Sequence, residues 1–420
     1  MDTPGAGLGH HPREPGDASG AGLGHGREHH DAPSVGLGHG REHNDAPGAG
    51  LGHVREHNDA PGAGLGHVRE HNDALVVGLA RATPEFDRAS IAAATGLTPQ
   101  AVSKVLARLV ADGLVAAAGH RRQGVGKPAT IYRLVPHSRF AIGVHVARTR
   151  VRLVLTSLDG SVLAGAEAPL PADFTPDKLL DRIAGARAEL LAAHPVDPSR
   201  VVGVGIGMVG PLDHANGIVR DAHRLRHWHD VPLRELAVRR LGIAVHLDKD
   251  VTAGVTAEAW RRGGDFRDGA LIMVESGIGA GLWLGGAAYR GAHTNAGEFG
   301  HAVLQLDGPR CVCGRAGCLE VLHDRAVAAG DLRAAGRLLG VAVVNLLQVA
   351  DLGHVVLAGA DLLRHADLYA AAVLAAVREQ VPRADWLTVE VSVSSLGVDA
   401  IAAGAAMQVL DAAYGVARRL

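Results

Sequence analysis

All three cysteines of this 420-residue chain fall inside eight residues, Cys311-Val-Cys313-Gly-Arg-Ala-Gly-Cys318. Cysteines scattered through a core do not cluster in this way. A disulfide would leave one of the three unpaired, and 3 Cys in all exclude a disulfide-dense secreted scaffold. Three thiolates need a fourth ligand, and His301 lies ten residues upstream. Cys₃His is a closed tetrahedral set, the arrangement of structural zinc. Gly314 and Gly317 let the backbone turn tightly around such a centre. The spacing predicts one structural zinc per chain, held by His301, Cys311, Cys313 and Cys318.

Length sets how much fold surrounds this loop. At about 150 residues per domain the chain holds roughly three units. Its composition is 47% hydrophobic, enough for more than one core. A formal net charge of −2 excludes a uniformly basic coat, so any nucleic-acid surface must be local. The first thirty residues lack an apolar stretch of signal-peptide length. No apolar run reaches about 18 residues; Leu271 to Tyr289 comes nearest and is broken by Glu275 and its glycines. The expectation is a soluble, cytoplasmic protein with reduced thiols and no membrane partner.

Residues 1–74 are a repeat. Gly-Leu-Gly-His begins at Gly22, Gly36, Gly50 and Gly64, a period of fourteen. With Leu almost its only large apolar residue, such a segment buries too little surface to offset its ordering entropy, and a disordered tail is expected. It holds 11 of the 25 histidines. These read either as weak metal capture or as a solvated, recently expanded repeat that includes sequence upstream of a mis-assigned start.

Residues 75–136 have a different texture. Leu75 to Ala80 and Ser90 to Leu97 read as short helices, the second with a turn at Gly96. Thr98 caps a third helix running through Gln100 to Asp112, with Pro99 in its first turn and Gly113 at its end. Val102, Val105, Leu106 and Leu109 share one face; Gln100, Ser103, Lys104 and Arg108 fall mostly on the other. Two strands follow, joined by the basic glycine-rich turn Arg121 to Pro128. Between residues 76 and 134 there are 8 Lys+Arg against 3 Asp+Glu, a local charge of +5 on an otherwise acidic chain. This is a winged helix-turn-helix reading. Thr98, Gln100, Ser103, Lys104 and Arg108 would face the major groove, with Arg121, Arg122 and Lys127 of the wing on double-stranded DNA phosphates. The alternative is a small protein-interaction module or a plain helical subdomain. Residues 139–420 alternate β-like and α-like segments, an α/β body long enough for two lobes and a cleft.

Gly297-Glu-Phe-Gly-His301, followed by Cys311-Val-Cys-Gly-Arg-Ala-Gly-Cys-Leu-Glu320, resembles the signature of the ROK family of repressors, open reading frames and sugar kinases. Gly126-Lys-Pro-Ala-Thr130, Gly205-Ile-Gly-Met-Val-Gly-Pro-Leu-Asp213, Trp228-His-Asp-Val-Pro-Leu233 and Gly277-Ile-Gly-Ala-Gly281 extend the likeness over about 345 residues. The resemblance implies an actin-like two-lobed sugar-kinase fold, usually dimeric or tetrameric, with a first lobe at 137–265 joined by a C-terminal helix at about 400–420. The second lobe, 266–400, would carry the zinc motif. It also implies that Glu298, His301 and Glu320 hydrogen-bond sugar hydroxyls, His301 being a zinc ligand too. Gly210, Lys249 and Asp250 fall on the same expected sugar site.

Three readings of function follow: a DNA-binding regulator, a kinase, and a sugar sensor that acts through proteins without binding DNA. Family kinases place an Asn-Asp pair where this chain has Lys249-Asp250, with the Asp as base for the sugar hydroxyl. A neighbouring ammonium favours the carboxylate of Asp250 and weakens it as a base, and it could instead pair with an anionic effector. Family kinases show Gly-x-Asp-x-Gly-Gly-Thr at the first phosphate loop; here it is Gly143-Val-His-Val-Ala-Arg-Thr149. His145 is a poor partner for Mg²⁺, and Ala147 and Arg148 replace glycines that let backbone approach phosphate. The second glycine loop, Gly277 to Gly281, is intact. This argues against ATP and Mg²⁺ as cofactors. It favours a sugar- or sugar-phosphate-responsive transcriptional regulator of carbohydrate metabolism genes, a repressor by default. The alternative is an ATP-dependent hexose or N-acetylhexosamine kinase with an appended DNA-binding domain, for which Asp250 would be catalytic.

Overall fold

The computed structural model describes residues 63–121, 128–222, 225–381 and 387–415. The expectations for residues 1–62, and for Arg122 and Lys127, lie outside the described residues. The first helix, α1, spans Ala63–Ala82. The apolar spacing at Leu75 to Ala80 is thus the C-terminal part of a longer helix that begins inside the last repeat copy. Helix α2 (Arg88–Thr95) is opened by a capping box between Asp87 and Ser90, and Gly96 closes it at φ 70°. Helix α3 (Pro99–Ala111) starts where Thr98 Oγ1 accepts the N–H of Ala101. Strands β1 (Val115–Arg121) and β2 (Ala129–Leu134) pair antiparallel as the wing.

Two five-stranded sheets follow. The first contains β3 (Phe140–Val146), β4 (Arg150–Ser157) and β5 (Val162–Pro169), an antiparallel meander. Helix α4 (Pro176–Ala193) then leads to β6 (Val201–Met208), parallel to β3. A small three-stranded sheet of β7 (Leu212–Asp213), β8 (Ile218–Asp221) and β9 (His229–Val231) interrupts the lobe before α5 (Leu233–Leu241). Strand β10 (Val245–Lys249) completes the sheet beside β6.

Helix α6 (Asp250–Arg262) leads to the second sheet, whose meander is β11 (Gly269–Val274), β12 (Ile278–Leu284) and β13 (Ala287–Tyr289). A long loop precedes α7 (Leu319–Ala328) and α8 (Leu332–Ala350). Strand β14 (His354–Ala358) pairs parallel to β11. Helices α9 (Ala360–Leu363) and α10 (Ala366–Gln380) lead to β15 (Glu390–Val393), parallel to β14. Among the described residues, one helix, α8, is long and apolar enough to cross a membrane. Its Leu339, Val343 and Leu347 lie in the core of the second lobe.

The last helix, α11 (Ala400–Tyr414), is buried on all sides from Ala400 to Leu410, as a helix apolar all round must be. It returns to the first sheet and lies almost on its backbone. A Cβ at Gly143 of β3 would stand 1.7 Å from the Ala402 carbonyl oxygen, so only glycine fits there. The outer end of α11 joins the helix-turn-helix: Ala406, Val409 and Leu410 share one core with Val76, Val77, Ala80, Val105 and Leu109. Arg81 of α1 reaches Asp411 at 3.5 Å and stacks 4.0 Å above the Trp260 ring. The winged module is packed onto the first lobe rather than hung from it.

Candidate functional site

The loop before α7 gathers its four expected ligands. His301 Nδ1 stands 3.6 Å from Cys311 Sγ, Cys313 Sγ stands 3.6 Å from Cys318 Sγ, and all four donor atoms lie within 4.8 Å of one another. Tetrahedral M–S bonds of about 2.3 Å place sulfurs roughly 3.8 Å apart, so the set fits a metal ion. Gly317 permits the fold: a Cβ there would meet the Gln305 carbonyl oxygen at 1.6 Å. Burial and the neighbouring sulfurs push the Cys318 thiol up to about 12. A thiol raised in this way becomes a thiolate ligand only when a cation compensates it.

Gly210, Lys249, Asp250, Glu298, His301 and Glu320, expected together from sequence, do line one cleft. Lys249 ends β10 and Asp250 begins α6, so both project from one strand-to-helix junction. Glu320 lies in the first turn of α7, two residues past Cys318, and accepts the Ile278 N–H at 3.1 Å. His301 belongs to both the metal cluster and the cleft wall. The loop that gathers the cysteines therefore places two of the cleft's polar groups.

The electrostatics depart from the sequence expectation in two places. Burial pushes the Asp250 carboxyl above the usual range, and the nearby His145 and Lys249 only partly oppose it. The ammonium expected to favour the carboxylate is outweighed by desolvation. Lys249 is already engaged within the protein. Its Nζ donates to Glu298 Oε1 at 2.6 Å and to the Ala296 carbonyl at 2.9 Å. His145, in place of the loop's acidic residue, is buried and held neutral, down to about 4, chiefly by desolvation. The turn Ala147 to Thr149 ends the β3–β4 hairpin at the cleft, with Arg148 exposed.

Further charged groups escaped sequence reasoning. Arg150 of β4 pairs with Glu275, just after β11, across the cleft. Asp248 is fully buried; its Oδ2 accepts from Arg290 Nε at 3.0 Å and from Gln408 Nε2 at 2.8 Å. This carboxylate joins β10, the loop after β13 and α11. Asp248 was adjacent to a motif and could have been suspected; Arg290 and Gln408 carry no local signal.

On the winged module Thr98, Gln100, Ser103 and Lys104 are exposed. Thr98 is spent partly on its cap, and Ser103 Oγ donates to the Pro99 carbonyl at 2.8 Å. Arg108, expected on the same face, is half-buried. It turns back to pair with Asp73 of α1, its Nε at 3.3 Å from Oδ2, because it sits a full turn behind the exposed N-terminal face. Arg121 stays exposed but lies 3.3 Å from Glu85, which also pairs with Arg133.

The sequence matches the ROK family over residues 141–329 and the MarR family over residues 77–123. It is 27% identical over 234 residues to the xylose repressor of Caldicellulosiruptor bescii, covering 56% of this chain and 58% of that protein. It is 33% identical over 182 residues to the glucokinase of Thermotoga maritima, covering 43% and 56%. The chain thus spans rather less than two thirds of the length of these relatives. A solved ROK family transcriptional regulator, a homologue of the E. coli MLC protein, superposes with a TM-score of 0.69 at 20% identity, covering 83% of this chain and 98% of that one.

Proposed function

From a chain that carries a ROK family domain behind a MarR-type winged helix, we propose a sugar-responsive, DNA-binding transcriptional repressor of carbohydrate metabolism genes. The observation that carries this reading is the shared core of α11 and the helix-turn-helix. A helix lying on the sheet that ends in Lys249 is also part of the DNA-binding head. A sugar that prefers one arrangement of the lobes then shifts the head by its differential affinity, and operator affinity changes with it. The metal is zinc, held by His301, Cys311, Cys313 and Cys318, and it keeps His301 and Glu320 on the cleft wall. Glu298, Glu320 and Asp250 supply acceptors for hydroxyls, beside Lys249 and the Gly210 turn. Thr98, Gln100, Ser103 and Lys104 meet the major groove, with Arg121 and the wing on phosphate. Two such heads in a homodimer or homotetramer would read paired half-sites. The setting is the cytoplasm, where DNA and sugar meet.

The test is fluorescence anisotropy with DNA from upstream of the gene itself, across a sugar panel beginning with xylose and glucose. Binding that weakens steeply with salt and is released by a sugar supports the reading. A protein that ignores duplex DNA at low ionic strength overturns it. The similarity to glucokinases and the retained Asp250 favour a kinase as the second reading. Sugar-dependent ADP release, abolished by Asp250→Asn, would establish it.

A further inference from the structure

The ion pair between Lys249 and Glu298 lies where a ligand of the cleft would have to bind. Lys249 is 3% exposed, and its stem passes Gly210, where a Cβ would meet Lys249 Cε at 3.3 Å. An ammonium has three donors. Two are committed, to Glu298 and to the Ala296 carbonyl, both on the far side of the cleft. A sugar hydroxyl can also make a charge-assisted bond to Glu298, but it lacks the Coulomb attraction that the ammonium adds at short range. A sugar hydroxyl that takes Glu298 Oε1, the oxygen that Lys249 holds, therefore weakens the hold on a buried ammonium, which is costly. A sugar acid would not share in that release: it meets the carboxyls of Asp250 and Glu320, and the other cation of the lining, Arg148, is untouched by a change at Lys249.

We propose that Lys249 is a specificity-determining residue of this cleft: a built-in cation that occupies Glu298 in place of a ligand hydroxyl and sets a low affinity for neutral sugars. The inference rests on reading the cleft as a sugar site. It makes the bond across the cleft a competitor of the ligand rather than part of its cradle.

The experiment is calorimetric titration of the full-length protein, as purified with its metal, with xylose, glucose and glucuronate. Wild type is compared with Lys249→Asn and Lys249→Met. Both variants are expected to bind the neutral sugars about tenfold more tightly, with no gain for glucuronate. A merely structural role would move all three sugars together. The Met variant keeps the volume of the stem and stands if the Asn variant melts early. Unchanged or weaker binding of neutral sugars in both variants overturns the proposal. So does a gain confined to Asn, which would mean a new amide contact and no released carboxylate. Failure of the wild type to bind DNA would instead refute the repressor reading, and leaves these titrations readable.

Discussion

The two lobes are built on one plan. The sheets run β5-β4-β3-β6-β10 and β13-β12-β11-β14-β15, each an antiparallel meander followed by two parallel strands. What hangs from them differs. The first lobe inserts a small sheet between β6 and α5, and its turn at the cleft carries Ala147, Arg148 and Thr149. The second keeps Gly277 and Gly279 at the equivalent hairpin and inserts the metal loop between β13 and α7. The repeated scaffold supplies the frame, and the unequal insertions supply the chemistry.

The sharpest way to break this contrast is to remove the proposed zinc. Chelation, or Cys311→Ser, should withdraw roughly 10 kcal/mol of binding energy from the second lobe alone. Scanning calorimetry should then show an early transition for that lobe; an unchanged single transition would mean that the loop is not metal-dependent. Next is the carboxylate that joins the lobes. Asp248→Ala leaves Arg290 and Gln408 without their buried acceptor and should cost about 3–5 kcal/mol in urea unfolding. A loss under about 1 kcal/mol would show that the network is ornamental.

The first lobe should also have its own pH signature. The unfolded chain takes a proton at His145 near 6.5, the folded chain only at about 4. The neutral imidazole is thus no liability above pH 6.5, and stability falls as pH drops between these values, by up to about 3 kcal/mol. His145→Gln should remove that part of the slope; parallel curves for variant and wild type would refute it. The smallest effect lies outside both lobes. Glu85→Gln frees Arg121 and Arg133 at the exposed wing. DNA affinity should rise modestly, with a salt slope steeper by about one; an unchanged slope would place the wing away from phosphate.

Much of the site was legible because its chemistry is local. Three cysteines and a histidine within eighteen residues leave few alternatives, whereas Glu298 and Glu320 stood out only through the family resemblance, and both line the cleft. The helix-turn-helix was legible for the same reason: a Thr cap, Pro99, Gly96 and Gly113 each act within a few residues. The start of α1 was not, since Gly-rich repeat residues give no helical signal of their own.

Sequence alone determined the gathering of three cysteines and a histidine, the winged helix and the α/β class of the body behind it, since these rest on spacing, capping and periodicity. Tertiary structure decided the charge states and the couplings. Lys249 meets Glu298 across 49 residues, Asp248 meets Gln408 across 160, and Arg108 turns to Asp73. Desolvation and ion pairing depend on what surrounds a group in three dimensions, and no linear neighbourhood contains that information.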